Sequence, residues 1–157
     1  DVIISSKYEH QAKMAEKLGA AHVIRPRRQD LRKEVELISE GGGVDAVLDT
    51  VASDETFNDA LAIVRRAGVI CLVGGYTKPL TVSLDPLVSK ELRLVGSNCY
   101  SYSGMKKDFD AAIELVASKR VDATSIVTHR FPLEDTGEAF RAAVDKTSGS
   151  IKVLICQ

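Results

Sequence analysis

Cysteine is scarce in this chain, and long apolar runs are absent from it. Its three cysteines, Cys71, Cys99 and Cys156, lie far apart and show no CxxC spacing, which argues against a disulfide framework or a structural zinc site. No apolar run approaches the roughly 20 residues that a membrane-spanning helix needs, and the printed sequence opens without a signal-peptide pattern. These absences favour a cytoplasmic protein with no membrane partner.

An excess of charge of one sign is also lacking. The formal net charge is −1 at pH 7 over 157 residues, so electrostatics favour neither nucleic acid nor an acidic membrane surface as a partner. A hydrophobic fraction of 45% with 27% charged residues is typical of a globular protein. A chain of this length is expected to form one domain with a sizeable core.

Recognisable catalytic and metal-binding motifs are missing as well. GxSxG is absent, and no His, Cys, Asp or Glu residues have the spacing of metal ligands. The glycine-rich phosphate loop that opens many nucleotide-binding sheets is not found ahead of the first apolar run. The residues alone therefore predict no catalytic residue and no metal ligand.

What the sequence does contain is a regular alternation of short apolar runs and helix-period segments. The runs predict strands over residues 2–5, 21–24, 44–49, 69–73, 92–96, 126–130 and 151–156, and a further extended segment over 80–84 before a turn at Pro86. The periodic segments predict helices over residues 9–18, 30–40, 53–64, 105–118 and 134–145. The side chains expected to face the core include Ala12, Leu18, Phe57, Ala60, Leu61, Val64, Phe109, Ile113, Val116, Ala139 and Phe140. This alternation predicts a doubly wound parallel α/β sheet.

Small and polar residues follow four of the predicted strands. They occupy residues 5–7, 50–52, 74–76 and 97–99. Ligands bind beyond the carboxyl ends of the strands in open parallel sheets, and glycine or alanine there allows the backbone to approach a ligand closely. Four such turns in register indicate a ligand-binding edge. Asp49 has two possible roles there, ligand contact or the capping of a neighbouring loop.

Residues 44–76 read VDAVLDTVASDETFNDALAIVRRAGVICLVGGY, and this stretch resembles the cofactor-binding domain of medium-chain zinc-dependent alcohol and polyol dehydrogenases. AEKLGAAHVI, LDPLVSKELRLVGS, VTHRFPLEDTGEAFRAA and SIKVLI extend the resemblance over essentially the whole chain. The threonine, sorbitol and butanediol dehydrogenase branch is the most similar. The resemblance implies a Rossmann-like fold over residues 1–157.

The family pattern places a strand and a GxGxxG-type loop before the segment with which this chain begins, and a zinc-binding catalytic domain before them. We therefore expect an N-terminally incomplete fragment of a longer protein, inactive alone and binding no zinc itself, although zinc is expected in the parent. In the strand order 3-2-1-4-5-6 the missing strand is the central one. Its absence predicts a gap between residues 2–5 and 44–49.

The resemblance also implies which residues contact the cofactor. Ser6 matches a position that is acidic in NAD enzymes, where the carboxylate binds the ribose hydroxyls and repels a 2′-phosphate. Because Ser6 is neutral and Lys7 is a cation, the sequence favours NADP(H) over NAD(H). The other implied contacts are Thr50 and Val51 beside the cofactor, Val73, Gly74 and Gly75 near the nicotinamide ribose, Ser97, Asn98 and Cys99 near the carboxamide, and Lys152 near the pyrophosphate.

The implied reaction of the parent is hydride transfer between a nicotinamide dinucleotide and an alcohol, polyol or ketone, with zinc polarising the oxygen. Two alternatives stay open: a zinc-independent quinone or enoyl reductase of the same superfamily, and a non-catalytic nucleotide-binding module. Residues 80–84 and 92–96 match segments that pair sheet edges across a dimer axis in the family. Because an unpaired edge strand promotes association, a homo-oligomer is expected.

Overall fold

A computed structural model describes residues 1–25 and 30–157 and contains helices and strands in the predicted alternation. The strands are Ile3–Ser5 (β1), His22–Ile24 (β2), Val44–Asp49 (β3), Val64–Leu72 (β4), Arg93–Gly96 (β5), Tyr102–Ser103 (β6), Lys106–Lys107 (β7), Val127–Pro132 (β8) and Lys152–Cys156 (β9). The helices are Glu9–Lys17 (α1), Leu31–Ile38 (α2), Asp54–Ile63 (α3), Asp85–Ser89 (α4), Asp108–Ala117 (α5) and Thr136–Val144 (α6). None of the described helices is both long and apolar enough to span a membrane.

The chain divides into two compact units. The first unit consists of Asp1–Arg28 and Tyr100–Gln157, and the second of Gln29–Cys99. The first unit contains a parallel pair β1-β2, a parallel pair β8-β9 and an antiparallel hairpin β6-β7. The second unit contains the three-stranded parallel sheet β3-β4-β5. Pro26, which follows β2 in the sequence and was expected to end it, lies outside the described residues.

The core of the second unit forms where helix α3 covers the sheet. Its buried members are Phe57, Ala60, Leu61, Val64 and Ile70. Full burial of a large apolar side chain contributes about 1.5–3 kcal/mol, so this cluster is a major source of the unit's stability. The inward face predicted for α3 is confirmed.

The start of α3 is fixed by a capping box. The hydroxyl of Ser53 accepts a hydrogen bond from the backbone N–H of Thr56 at 3.2 Å, and the Thr56 hydroxyl accepts one from the Ser53 N–H, also at 3.2 Å. Threonine here takes the place that Glu or Gln usually has. The cap confirms Ser53 as the N-cap and directs Thr56 towards the end of β3.

Strand β4 begins earlier than the apolar pattern predicts. Val64 was predicted to end helix α3, but it opens β4 and pairs with Val44, and the ladder resumes at Ala46 and Val69. Between these pairs the chain makes an irregular excursion in which Ala67 has a φ of 56°. The bulge interrupts the alternation of side chains, so the sequence pattern located only the second half of the strand.

The segment over residues 80–84 is not a strand in the described structure. Leu80 and Val82 instead pack against the core of the second unit. Pro86, predicted in a turn, lies in the first turn of the short helix α4, where its missing N–H costs no hydrogen bond. The segment predicted to be extended over residues 80–84 thus buries its side chains without pairing in a sheet.

Several apolar side chains of the first unit that were predicted to face a core are exposed. Their exposed fractions lie between 45% and 65%, and they are Leu18, Phe109, Ile113, Val116 and Phe140. Helical periodicity identifies an apolar face but does not establish that another element covers it. Ala12 and Ala139, by contrast, are buried as predicted.

Within the described part of the chain, β1 forms a ladder only with β2, and β3 forms one only with β4. One edge of each strand therefore has no backbone partner there. This arrangement agrees with the predicted gap beside these two strands.

Candidate functional site

The carboxyl ends of β3, β4 and β5 lie level at one edge of the second unit's sheet. Asp49 pairs with Leu72, which in turn pairs with Gly96. The backbone N–H of Val73 donates to the Asp49 carbonyl at 2.9 Å, and that of Ser97 donates to the Leu72 carbonyl at 2.9 Å. Three loops leave the sheet from this edge, and they carry the predicted contacts Thr50, Val51, Val73, Gly74, Gly75, Ser97, Asn98 and Cys99.

Asp49 is a buried carboxylate at this edge, with 4% of its surface exposed. Its Oδ1 accepts hydrogen bonds from the N–H groups of Val51 at 2.9 Å and Ala52 at 3.2 Å. Its Oδ2 accepts from the hydroxyls of Thr56 at 3.0 Å and Tyr76 at 2.6 Å. Burial raises the pKa of Asp49, but these hydrogen bonds outweigh burial and hold the pKa below its ordinary value of 3.8. Both oxygens are engaged by protein donors, which favours the loop-capping role.

The turn after β3 is shaped by that carboxylate. Ala52 has a φ of 66°, a left-handed conformation that is unfavourable for a residue with a β-carbon. The two hydrogen bonds from Val51 and Ala52 to Asp49 Oδ1 stabilise this conformation. Asp49 therefore fixes the path of the backbone over residues 50–52.

Gly74 brings the loop after β4 against this turn. A β-carbon on Gly74 would lie 2.8 Å from the β-carbon of Ala52 and 3.0 Å from the carbonyl carbon of Thr50. Gly75, the next residue, has open space on its side-chain face. Glycine at position 74 is thus required by contact with the neighbouring loop, whereas position 75 is open to a ligand.

The groups that the edge offers to a ligand are apolar surfaces and backbone. The side chains of Val51 and Val73 are 67% and 44% exposed. Cys99 is exposed, and its N–H donates to the Asn98 side-chain oxygen at 2.9 Å. Such a surface can hold and orient a flat ligand through apolar contact and backbone hydrogen bonds.

Tyr76 and Thr56 belong to the edge through their bonds to Asp49. Tyr76 lies in the predicted turn over residues 74–76 but was not among the predicted cofactor contacts, and Thr56 was not predicted in the site. The pKa of Tyr76 is raised by burial and by its hydrogen bond to the Asp49 carboxylate. The available signal is weak: a tyrosine three residues past the predicted strand end at Val73, opposite an aspartate at the end of the neighbouring strand.

Three other predicted contacts, Ser6, Lys7 and Lys152, belong to the first unit. The loops after β3, β4 and β5 belong to the second unit. The Ser6 N–H continues the β1-β2 ladder by donating to the Ile24 carbonyl at 2.9 Å. Its side chain is 6% exposed, and its hydroxyl has no hydrogen-bond partner among the described residues. Lys7 and Lys152 are exposed. A buried hydroxyl without a protein partner is costly, so Ser6 fits a site that a ligand hydroxyl completes.

No group of three or more His, Cys, Asp or Glu side chains in residues 1–25 and 30–157 is arranged to hold a metal ion.

Residues 1–118 match the family model described as zinc-binding dehydrogenase. D-arabitol-phosphate dehydrogenase of Enterococcus avium is 29% identical over 151 residues, which cover 96% of this chain and 41% of that protein. Sorbitol dehydrogenase of Bacillus subtilis is 29% identical over 157 residues, which cover 98% of this chain and 42% of that protein. The chain therefore spans about two fifths of the length of these relatives.

Solved structures share the fold. An oxidoreductase/dehydrogenase of unknown specificity from Escherichia coli has a TM-score of 0.86 at 26% identity, over 100% of this chain and 44% of that one. An alcohol dehydrogenase from E. coli CFT073 with NADH has a TM-score of 0.85 at 18% identity, over 100% and 44%. A protein from Sinorhizobium meliloti 1021 with NADP has a TM-score of 0.80 at 22% identity, over 99% and 45%. With a Rossmann-like α/β fold and a family match over residues 1–118, the chain belongs to the zinc-binding dehydrogenases.

Proposed function

We propose that this chain is the cofactor-binding part of a longer zinc-dependent dehydrogenase that transfers hydride between a nicotinamide dinucleotide and an alcohol, polyol or ketone. The observation that carries the proposal is the level edge formed by the ends of β3, β4 and β5, from which three loops of predicted cofactor contacts leave the sheet. The sorbitol and arabitol-phosphate dehydrogenases among its relatives support a polyol-like substrate class.

The residues of the edge bind and orient the cofactor in this proposal. A nicotinamide dinucleotide, when bound, supplies the hydride acceptor or donor. The exposed Val51 and Val73 side chains give apolar contact, and the open face at Gly75 allows close approach of the backbone. The backbone over residues 97–99 fixes which face of the nicotinamide is presented. None of these groups moves a proton, so the chain alone is proposed to be inactive.

Cofactor choice is assigned to the turn after β1. The buried Ser6 hydroxyl has no partner among the described residues and is available to a ribose hydroxyl. The exposed Lys7 ammonium offers a charge-assisted contact to a phosphate, and no carboxylate stands at position 6 to repel one. We propose NADP(H) as the preferred cofactor over NAD(H), with Lys152 as a further basic contact near the pyrophosphate.

Three observations support a longer parent protein. The chain covers 41–45% of the relatives and structures described above. The strands β1 and β3 each have an edge without a ladder partner in the described structure. An apolar cavity of about 340 Å³, lined in part by Val2, Ile4 and Met14, lies in the first unit, and a further segment of the parent would cover these side chains. The catalytic zinc is proposed to be bound by that parent, outside this chain.

A homo-oligomer is proposed for the parent as well. In the described structure β5 pairs only with β4, and Leu94 and Val95 on it are 44% and 47% exposed. A sheet edge with exposed apolar side chains favours association. A cytoplasmic location stays a prediction from composition.

The test uses the full-length protein that contains this chain. It is titrated with NADPH and NADH, and its turnover of a diol, a polyol and threonine is measured with and without a chelator. Binding with chelator-sensitive turnover is the expected result. Chelator-insensitive turnover favours the zinc-independent reductase, and binding without any turnover favours the non-catalytic module. If the full-length protein binds neither NADPH nor NADH, the proposal is wrong.

A further inference from the structure

The donors to the Asp49 carboxylate come from three separate segments. Val51 and Ala52 belong to the turn after β3, and Thr56 belongs to helix α3. These three residues lie within seven positions of Asp49 in the sequence, so chain connectivity alone brings them near it. Tyr76 lies 27 residues away, on the loop after β4. Its hydroxyl therefore makes the one side-chain bond to this carboxylate, among the described residues, that joins two loops of the edge.

The hydrogen bond from Tyr76 anchors the loop after β4, which contains Gly74 and Gly75, at the end away from the strand. The N–H of Gly74 donates to the Asp49 carbonyl at 3.0 Å, and the hydroxyl of Tyr76 donates to Oδ2 of the same residue at 2.6 Å. Gly75 is held between these two attachments. The N–H of Thr77 donates to the Gly75 carbonyl at 2.9 Å, which makes a tight turn about Tyr76.

Gly75 is the residue whose freedom the anchor restricts. A glycine with open space beside it can adopt many backbone conformations. Without the Tyr76 attachment, the loop would be held at Gly74 alone among these contacts, and ordering it on ligand binding would carry an entropic cost. The attachment removes that cost in advance.

The burial of Asp49 makes the loss of this hydrogen bond costly. Hydrogen bonds to a charged group are shorter and stronger than neutral ones, and a shielded carboxylate that loses a donor is left incompletely satisfied. Asp49 is 4% exposed, so water does not easily replace the Tyr76 hydroxyl.

We propose that Tyr76 is a positioning residue, which through its hydrogen bond to Asp49 preorganises the loop at Gly74 and Gly75 for the nicotinamide dinucleotide. This inference rests on the proposed function. Tyr76 acts through Asp49 and need not touch the cofactor, and the pair links the turn after β3 to the loop after β4.

The test compares Y76F with a matched control in the full-length protein. Tyr102→Phe removes a hydroxyl from an exposed tyrosine of the first unit. NADPH and NADH dissociation constants are measured by nucleotide fluorescence well below the melting temperature of each variant. Y76F should weaken binding about tenfold, the loss that corresponds to one hydrogen bond to a charged group, and Y102F should bind as the unaltered protein does. A purely structural role would lower the melting temperature without changing the dissociation constant.

A double-mutant cycle tests whether Tyr76 acts on cofactor binding through Asp49. Asp49→Asn keeps an oxygen acceptor but loses the charge, so it should weaken binding by itself and should reduce the further effect of Y76F. It also serves as the second variant if Y76F does not fold. An unchanged dissociation constant in Y76F, or an equal loss in the D49N background, would overturn the inference while leaving the proposed function intact. If the unaltered protein binds neither dinucleotide, the proposed function fails and this inference fails with it.

Discussion

Gly74 and Ala52 pack so closely that a β-carbon on Gly74 would lie 2.8 Å from the β-carbon of Ala52. Ala52 cannot easily move away, because its left-handed turn is held by hydrogen bonds to the buried Asp49 carboxylate. The loops after β3 and β4 are therefore built as one surface. The proposed cofactor edge depends on this contact.

Replacing Gly74 with alanine should force these loops apart. We expect the free energy of local opening in the second unit to fall by about 1–3 kcal/mol, as in overpacked sites. Native-state hydrogen exchange at the buried Ile70 measures it. The control is Gly137→Ala in α6, where an added β-carbon would lie 3.8 Å from the Arg141 guanidinium. That change should stabilise α6 by about 0.5–1 kcal/mol. Equal effects of the two substitutions on their own units would refute the packing argument.

Lys90 stabilises the junction between α3 and β4. Its ammonium donates to the carbonyl oxygens of Leu61 at 2.8 Å, Ala62 at 2.9 Å and Val64 at 3.0 Å. Burial lowers the pKa of Lys90. Lys90→Met should lower the free energy of opening at Ile70 by about 1–3 kcal/mol, since three carbonyls lose a charged donor.

The control for Lys90 is Lys33→Met. The Lys33 side chain is 79% exposed and lies 4.0 Å from the Asp30 carboxylate. Exposed ion pairs contribute little, so this change should alter stability by less than about 0.5 kcal/mol. A loss in K33M as large as that in K90M would contradict the assigned role of Lys90.

Asp49 should make the stability of the folded protein depend on pH in the acid range. Its folded-state pKa lies below the ordinary 3.8, so its contribution to the free energy of unfolding is complete above that value and is lost as the pH falls through the lowered folded-state pKa. The melting temperature of the unaltered protein should therefore drop more steeply below pH 3.8 than that of D49N. The exposed carboxylates with lowered pKa, Asp122, Glu138 and Asp145, are present in both proteins, so the difference isolates Asp49. Parallel acid profiles would exclude this contribution.

Lys7 should determine the preference for NADP(H). Lys7→Glu should weaken NADPH binding about tenfold or more, because a charge-assisted contact is replaced by repulsion, while NADH binding changes little. Isothermal calorimetry with both nucleotides measures the ratio. Lys13→Glu makes the same charge change on an exposed position of α1 and should leave the ratio unchanged. An unchanged ratio in K7E would remove Lys7 from the account of specificity.

Local signals in the sequence predicted much of the second unit. The strand over residues 44–49 and the Ser53 cap were placed correctly, because alternation, burial and capping chemistry act over a few neighbouring residues. The bulge that separates Val64 from Val69 was missed, since it breaks the alternation on which the prediction depends. The exposure of Phe109 was missed because periodicity does not specify a covering element.

The candidate site shows the same limit. The loops that leave the sheet edge followed from the strand ends and from the family resemblance. The bond between Tyr76 and Asp49 did not, because it joins residues 27 positions apart and is produced by the pairing of β3 with β4. A long-range hydrogen bond of this kind leaves no periodic pattern in the chain.

Hydrogen exchange of the full-length protein with and without NADPH tests the central claim most directly. If the edge of β3, β4 and β5 holds the cofactor, saturating NADPH should slow amide exchange over residues 50–52, 73–76 and 97–99 together. The result that would contradict the account is NADPH binding that leaves exchange at these three loops unchanged, or no binding of NADPH or NADH at all.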